Sequence, residues 1–481
     1  MRNLIPLSLA LLLSGCAVGP DYLGPDTSTG QPENWQTSAH TRSADVELGW
    51  WQQFNDPMLN QLVAQALTQN LNVLAAQERV KLADSYRQAV SATSLPQIGI
   101  GGGFIAGMLS EQGPVGGPLR NPSLGGQPLG IPLADRHFQA SYLGVSAAWE
   151  PDLFGKTARL VEATQARADQ VAIVADGTRM LVVSAVANNY LQLRSAQQQK
   201  QILLSQQQDL QALELRVASL YDSGLTSGIE PAQIRAQQAQ LQAALPQFDS
   251  VIDAHSRRLA ILTGQPSSAL LTSLATPQPL PQVNGVIPVG LPSELLQRRP
   301  DIRFAERQMK VANAELGVAI ANQYPSFYLT GAPGVAASDF GDLFASGSSA
   351  WSFGAGVNWS LFDGGLRDAL EAVAQSQVDI AALEYQRTLL TAFGEVETLL
   401  NAYGNSQAHL QSLSRAQAQI GAAVTRTDAL ADSGLASGID RLQARGARHQ
   451  ADLQLLQAQT RHAQLVVTLY KSLGGRWPQV D

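Results

Sequence analysis

The stretch WSFGAGVNWSL, residues 351–361, alternates strictly between two kinds of side chain. Every second residue from Trp351 onward is apolar, whereas the residues between them are serine, glycine or asparagine. Because successive side chains of a β-strand point to opposite faces of a sheet, this pattern predicts one apolar face and one small, polar face. Strands of about ten residues with this alternation and with aromatic ends are typical of transmembrane β-strands, which face lipid on one side and a lumen on the other.

Three other segments, at residues 98–104, 142–149 and 327–329, alternate in a similar way. Their apolar positions are Ile98, Ile100, Phe104, Leu143, Val145, Ala147, Trp149, Phe327 and Leu329. The sequence therefore predicts four transmembrane strands in each chain. The alternative for the same pattern is a half-buried hairpin of a soluble domain.

Four strands are too few to close a barrel in a membrane, because the smallest bacterial barrels have about eight. Open strand edges are not tolerated in lipid, where unpaired backbone groups find no water. Membrane-spanning strands would therefore have to come from several subunits that share one barrel. Two copies would give about eight strands and a barrel filled by its own side chains, whereas three would give about twelve and leave room for a pore.

The chain consists of two copies of one plan. The segment YDSGLTSGI at residues 221–229 recurs as ADSGLASGI at 431–439, and Trp149 recurs as Trp359 with the same offset. Each copy is predicted to contain a helix, a strand, a loop, a second strand, a very long helix, a tight turn and a return helix. These observations indicate a tandem duplication.

The longest helices are predicted from segments that lack helix breakers. Between Gly155 and Ser223 there is one glycine and no proline, and between Gly365 and Ser433 there are three glycines and no proline. Each segment of about 67 residues would extend about 100 Å at 1.5 Å per residue. The predicted fold class is an α+β membrane protein, in which each chain carries four membrane strands and two antiparallel hairpins of long helices.

Shorter helices are predicted at about 57–94 and 293–323, before the strands, and at about 232–263 and 440–472, after the turns. Pro246 is expected to kink the first return helix. Several prolines between the two copies predict an irregular connector.

These features divide the chain into six predicted parts. They are a signal peptide (1–15), a lipidated N-terminal segment (16–56), a first repeat (57–263, with its strand pair at about 97–150 and its helix tip at 223–228), a connector (264–292), a second repeat (293–474, with its strand pair at about 326–362 and its tip at 433–438) and a C-terminal tail (475–481).

The N-terminus has the pattern of a lipoprotein signal. Arg2 precedes an apolar run from Leu4 to Leu13 that is too short to span a bilayer as a helix, and the run ends in LSGC at residues 13–16. This sequence is similar to a lipobox, which predicts a covalent lipid on Cys16 and delivery to the outer membrane; the alternative is a plain secretory signal that contains a cysteine. Cys16 is the only cysteine, so no intrachain disulfide can form.

Composition argues against other classes of protein. Only 15% of residues are charged, the net charge is −7 and no basic block occurs, so a nucleic acid is not expected as a partner. The six histidines are scattered, and the sequence contains no phosphate-binding loop, nucleophile elbow or zinc pattern, so no enzyme activity, metal or cofactor beyond the lipid is predicted. A structural coiled-coil lipoprotein that tethers the outer membrane remains an alternative to a duct.

Seven motifs in order carry a resemblance to a known family. They are CAVGPDY (16–22), WWQQFNDP (50–57), WEPDLFG (149–155), LTG (262–264), RRPDIR (298–303, followed by Ala305 and Glu306), LFDGG (361–365) and the two DSGL turns. The chain resembles the TolC-like outer-membrane factors of tripartite efflux and type I secretion systems, in their lipoprotein, NodT-type branch. The resemblance implies a homotrimer in outer-membrane lipid, in which a trimeric twelve-stranded barrel continues into a periplasmic barrel of twelve helical staves. Such a duct passively conducts small toxic compounds, or alternatively polypeptides, from a periplasmic adaptor and an inner-membrane pump.

The resemblance also implies a role for the two turns. The turn residues would lie at the periplasmic tips of the helical barrel and contact the adaptor; the alternative is that they are turns and nothing more. They are Gly224, Leu225, Thr226 and Ser227 in the first tip, and Gly434, Leu435, Ala436 and Ser437 in the second.

Close to the second tip the chain departs from the family pattern. Family members often carry an acid that constricts the periplasmic mouth one to two turns along the last helix, and Ala447 lies near that place here. Asp440 begins this helix, and Arg441, Arg445 and Arg448 share one of its faces. Two interpretations remain open: a basic constriction that lines the lumen, or ion pairs between helices that close the mouth from outside the lumen.

Overall fold

The computed structural model describes residues 17–25, 35, 41–42, 49–110, 112, 123–124, 127–128, 137–225, 227–283 and 287–474. The residues outside these ranges include Cys16, Thr226, the signal peptide, the C-terminal tail and most of the loop at 107–137. No role is predicted for that loop. The chain folds into two compact units. The first contains Asp84–Arg167 and Met309–Ile380 together with residues up to Leu23, and the second contains Gly24–Ala83, Ala168–Gln308 and Ala381–Asp481.

The described residues form nine α-helices. They are α1 (Pro57–Gln69), α2 (Leu71–Ala92), α3 (Lys156–Asp222), α4 (Ile229–Leu262), α5 (Ser267–Leu274), α6 (Leu295–Arg298), α7 (Pro300–Ala321), α8 (Leu366–Asp432) and α9 (Gly438–Ser472). Short 3₁₀-helices occupy Trp50–Phe54, Pro292–Glu294 and Phe340–Asp342. The four long strands are β1 (Gln97–Met108), β2 (His137–Trp149), β3 (Ser326–Ala337) and β4 (Ser349–Asn358), and two pairs of two-residue strands lie at Thr41–Arg42 with Ile287–Pro288 and at Ser123–Leu124 with Gln127–Pro128.

The two long helices, α3 and α8, have 67 residues each, which is the length predicted from the absence of prolines. By length and composition α3 is apolar enough to cross a membrane, but 44% of its most apolar 18-residue window is buried inside the protein. The return helix α4 runs without a break through Pro246.

The prediction of a single helix at 57–94 is wrong, because the helix is interrupted at Asn70. This residue has an extended backbone between α1 and α2, and its side-chain oxygen accepts hydrogen bonds from the backbone N–H of Asn72 and Val73. Its amide nitrogen donates to the carbonyl of Leu262 at the end of α4, at 2.8 Å. Asn70 thus caps α2 and also joins α4, and the second contact has no signal in the local sequence.

A similar break divides the helix predicted at 293–323. Arg299 is extended because the residue before a proline is disfavoured in the helical region, and α7 begins at Pro300. The Arg299 guanidinium pairs with Asp301 at 2.7 Å and with Glu395 at 2.9 Å, and it also donates to the carbonyl of Ser472. This side chain therefore joins the start of α7 to α8 and to the end of α9.

The connector at 264–292 is not irregular throughout, as the prolines had predicted, because it contains α5. Leu270 and Leu274 of this helix are buried. Gln197 of α3 donates to the carbonyl of Leu274 at 2.7 Å, and the buried Arg194 donates to that of Thr276 at 2.9 Å. These contacts fix the connector to the long helix in the second unit.

The four long strands form one antiparallel sheet in the first unit, in the order β1-β2-β3-β4. Its register places all the large apolar residues named from the alternation on one face. These are Ile98, Ile100 and Phe104 of β1, Leu143, Val145 and Ala147 of β2, Phe327 and Leu329 of β3, and Trp351, Phe353, Ala355 and Val357 of β4. The opposite face carries mainly glycine, serine, threonine and alanine, with three aromatic side chains among them.

Candidate functional site

The apolar face of the sheet is the first surface of functional interest. Ile100 and Trp351 are each 80% exposed and Phe353 is 69% exposed, and they lie on the same face of strands that carry no charged residue there. An exposed apolar surface of this extent marks a contact with lipid or with another protein. Its alternation with a polar face is the pattern of strands in a membrane.

Trp149 and Trp359 lie at the end of the sheet where the chain leaves for the long helices. The indole N–H of Trp149 donates to the carbonyl of Ser94, and that of Trp359 donates to the carbonyl of Gln323, each at 3.0 Å. Both acceptors lie just beyond the helix that precedes the strands, so the two copies of the repeat use the same contact. Tryptophan at the ends of membrane strands is typical of the interface between lipid and water.

The two tips have the same backbone geometry. In the first, Gly224 has a φ of 72° and donates to the carbonyl of Tyr221, while Leu225 donates to that of Leu220. In the second, Gly434 has a φ of 76° and donates to the carbonyl of Ala431, and Leu435 donates to Leu430. These two bonds define a Schellman turn, which ends a helix through a left-handed glycine.

Each turn leaves a leucine in solvent. Leu225 is 75% exposed and Leu435 is 77% exposed. Ser227 bonds to the Glu230 carboxylate at 2.8 Å. Ser437 and Asp440 form a capping box at the start of α9, and the hydrogen bonds from Ser437 hold the pKa of Asp440 below its usual value. Ala436, between Leu435 and this cap, lies within the turn, whereas Thr226 is outside the described residues.

The structure separates the four residues predicted for the mouth. Asp440 caps its own helix, and Arg448 lies 3.8 Å from Asp452 on the same helix. Only Arg441 and Arg445 reach other helices.

Arg441 binds the end of α8. It donates to the backbone carbonyl of Asp428 at 2.7 Å, its Nε lies 2.9 Å from the Asp428 carboxylate, and it also pairs with Asp432. The return helix of the second hairpin is thus tied to the long helix that precedes it.

Arg445 joins three helices. Its Nη1 lies 2.7 Å from Asp209 of α3, and its Nη2 lies 3.3 Å from Asp428 of α8. The hydrogen bond with Asp209, followed by that with Asp428, raises the pKa of Arg445 above its usual value, so its charge is secured. His449, one turn further along α9, lies 2.8 Å from the other oxygen of Asp209. We call Asp209, Asp428, Asp432, Arg441, Arg445 and His449 the mouth cluster.

The acidic half of this cluster was not predicted from the sequence. Asp428 lies 13 residues before Arg441, across the second tip, and an antiparallel hairpin could have predicted that pair. Asp209 lies 236 residues before Arg445, so only the packing of α3 against α9 brings them together. That packing is apolar, because Leu210, Leu213, Val217 and Ile234 form a buried cluster with Leu442 against it.

Comparisons with known proteins agree with this geometry. The family model described as outer membrane efflux protein matches residues 62–265 and 291–475, which is most of the chain. The chain belongs to the outer membrane efflux protein family. It is 30% identical over 413 residues to the toluene efflux pump outer membrane protein TtgC of Pseudomonas putida, covering 82% of this chain and 79% of that protein.

Two further similar proteins agree with this assignment to the outer membrane efflux protein family. The nodulation protein T of Rhizobium leguminosarum bv. viciae is 29% identical over 395 residues, covering 81% of this chain and 76% of that protein. The solved structure of the outer-membrane channel OprN is 30% identical, with a TM-score of 0.84 over 96% of this chain and all of that one. The predicted family, fold class, efflux function and outer-membrane location are confirmed. This family is one of channels rather than of enzymes.

Proposed function

We propose that three copies of this chain close one barrel and form the outer-membrane duct of a tripartite efflux pump, with no catalytic step, metal or soluble cofactor of its own. The observation that carries this proposal is the four-stranded sheet with an exposed apolar face. Among the described strands, β1 and β4 each pair on one side only. Because lipid cannot satisfy such edges, β1 of one subunit would pair with β4 of the next.

Channel activity of the purified full-length protein tests this proposal. We expect discrete conductance steps in planar lipid bilayers and the mass of a trimer in detergent. A structural tether needs no barrel, so protein that inserts in lipid and never conducts would favour the tether.

The partners and the cargo are proposed from the likeness to the family. A periplasmic adaptor and an inner-membrane pump would supply the cargo and the energy, and the relative TtgC is named for the efflux of toluene. We therefore propose small toxic compounds as the cargo. In a strain that lacks the gene, the chain should restore tolerance to such compounds; restored secretion of a polypeptide without restored tolerance would favour type I secretion.

The twin tips are proposed to contact the adaptor. Two exposed leucines in identical turns, each beside small residues, would offer matching apolar points to a partner hairpin. Ser437→Glu, which places a charge beside Leu435, should abolish efflux while the amount of protein in the outer membrane stays normal. Ser412→Glu, on an exposed face of α8 far from the turn, is the matched control. Normal efflux by the Ser437 variant would leave the tips as turns only.

The mouth cluster supports closure by ion pairs between helices. Arg441 and Arg445, which would have to point into the lumen for a basic constriction, instead bind carboxylates of α3 and α8. We propose that these pairs hold the periplasmic end of α9 against its neighbours while the duct is closed.

The lipid anchor is proposed on Cys16, which lies outside the described residues. The residues that follow it are fixed in the first unit: the buried Arg159 donates to the carbonyls of Val18 and Gly19 and pairs with Asp21 at 2.7 Å. Ala17 packs against Gly155, six residues beyond Trp149 at the end of β2. Cys16→Ser should abolish incorporation of labelled palmitate.

A further inference from the structure

The polar face of the sheet contains three aromatic side chains, and each lies directly across from a glycine. In the strand register Tyr142 pairs with Gly103, Phe138 pairs with Gly107 and Tyr328 pairs with Gly356. Their side chains are between 43% and 49% exposed. Because cross-strand neighbours on one face are in contact, the size of each partner decides where the ring can lie.

The rings occupy the space that a side chain on the glycine would need. A Cβ added to Gly103 would lie 2.8 Å from the Tyr142 hydroxyl, and one added to Gly107 would lie 2.7 Å from Cζ of Phe138. The overlap with Tyr328 at Gly356 is closer still. The far end of each ring therefore lies over the neighbouring strand, at its glycine.

The backbone does not require glycine at these positions. None of the three is among the described glycines with positive φ, so other residues could adopt the same conformation. Glycine also weakens a strand, since it contributes no side chain and has more conformational entropy to lose. Gly101, on the same face of β1, has nothing within 4 Å of an added Cβ. Space for an aromatic ring is therefore the physical reason for a glycine at positions 103, 107 and 356.

We propose that Gly103, Gly107 and Gly356 are positioning residues that keep the aromatic rings against the wall of the duct and so keep its bore open. This inference rests on the proposed function, which makes the polar face the lumen. In a trimer, three such pairs per subunit would give about nine rings around the lumen. A ring displaced from its glycine would point into the passage that the cargo must use.

Gly356→Ala tests the inference in cells, where the adaptor and pump open the periplasmic mouth. The strain lacks the chromosomal copy, and the rate of ethidium efflux is measured at matched amounts of outer-membrane protein. We expect slower efflux for Gly356→Ala, normal efflux for the matched control Gly101→Ala, and restored efflux for the double variant Gly356→Ala with Tyr328→Ala, since the second change removes the displaced ring.

Two results would overturn this role. Equal efflux by the Gly356 and Gly101 variants would show that the ring position has no effect on transport. Slow efflux that Tyr328→Ala fails to restore would show a defect of the strand instead of the bore. A wild-type chain that exports no ethidium and forms no channel in bilayers would contradict the proposed function itself, and the wild-type arm of the experiment separates that outcome from the other two.

Discussion

Asp209→Asn should open the periplasmic mouth. The change keeps the shape of the side chain and removes its charge, which now faces Arg445 at 2.7 Å and His449 at 2.8 Å. A partly exposed ion pair contributes about 0.2–1 kcal/mol, so losing the pair with Arg445 would cost up to about 1 kcal/mol per subunit. If the three subunits open together, up to about 3 kcal/mol is lost, and the ratio of open to closed channels should rise by up to about 100-fold.

Single-channel recording of purified trimers in planar bilayers measures this ratio directly. The matched control is Asp253→Asn, which breaks an ion pair with Arg257 that lies within one helix. We expect a large increase in open probability for the Asp209 variant and none for the control. Equal open probability in wild type and the Asp209 variant would refute closure by the mouth cluster.

Three further outcomes are expected. Arg445→Glu would place a carboxylate beside Asp209, so the open probability should rise with an unchanged ratio of cation to anion permeability; a shift in that ratio would support a basic constriction lining the lumen. Asn70→Ala should lower the unfolding free energy by roughly 2 kcal/mol, because it removes a helix cap and leaves the carbonyl of Leu262 unpaired, whereas Asn72→Ala, which is exposed, should have little effect on the melting temperature. Burial lowers the pKa of His255, so the folded state binds fewer protons than the unfolded state and stability should fall as the pH drops below about 6.5. In melting curves recorded over this pH range, His255→Gln should flatten the dependence of the melting temperature on pH. The same pH dependence in the wild type and the variant would contradict this expectation.

Much of the fold could be predicted because its signals are local. Strict alternation at residues 351–361 gives both the strand and its two faces, since the side chains of a strand have a period of two. The 67-residue helices follow from segments without proline, and the twin Schellman turns follow from the glycines of the DSGL motif. Helix ends were harder, because the break at Asn70 depends on a partner 192 residues away.

The candidate site could likewise be predicted only where its signals are local. The row of arginines on α9 could be found from helical spacing, but the interpretation of that row depended on what faced it. Asp209 faces it only because apolar packing brings α3 beside α9. The pairs of aromatic ring and glycine could not be predicted from the sequence either, since the register of two strands brings Tyr328 and Gly356 together.

By itself, then, the sequence determined that this protein has membrane strands with an apolar face, two long helical hairpins and a requirement for further copies to close its sheet. Each of these follows from the periodicity, the breakers or the number of strands within one stretch of chain. The tertiary structure alone decided which carboxylates neutralise Arg441 and Arg445, where the first helix breaks and which glycines lie beneath aromatic rings. These depend on contacts between distant segments, whose distance and orientation are set by packing and by strand register.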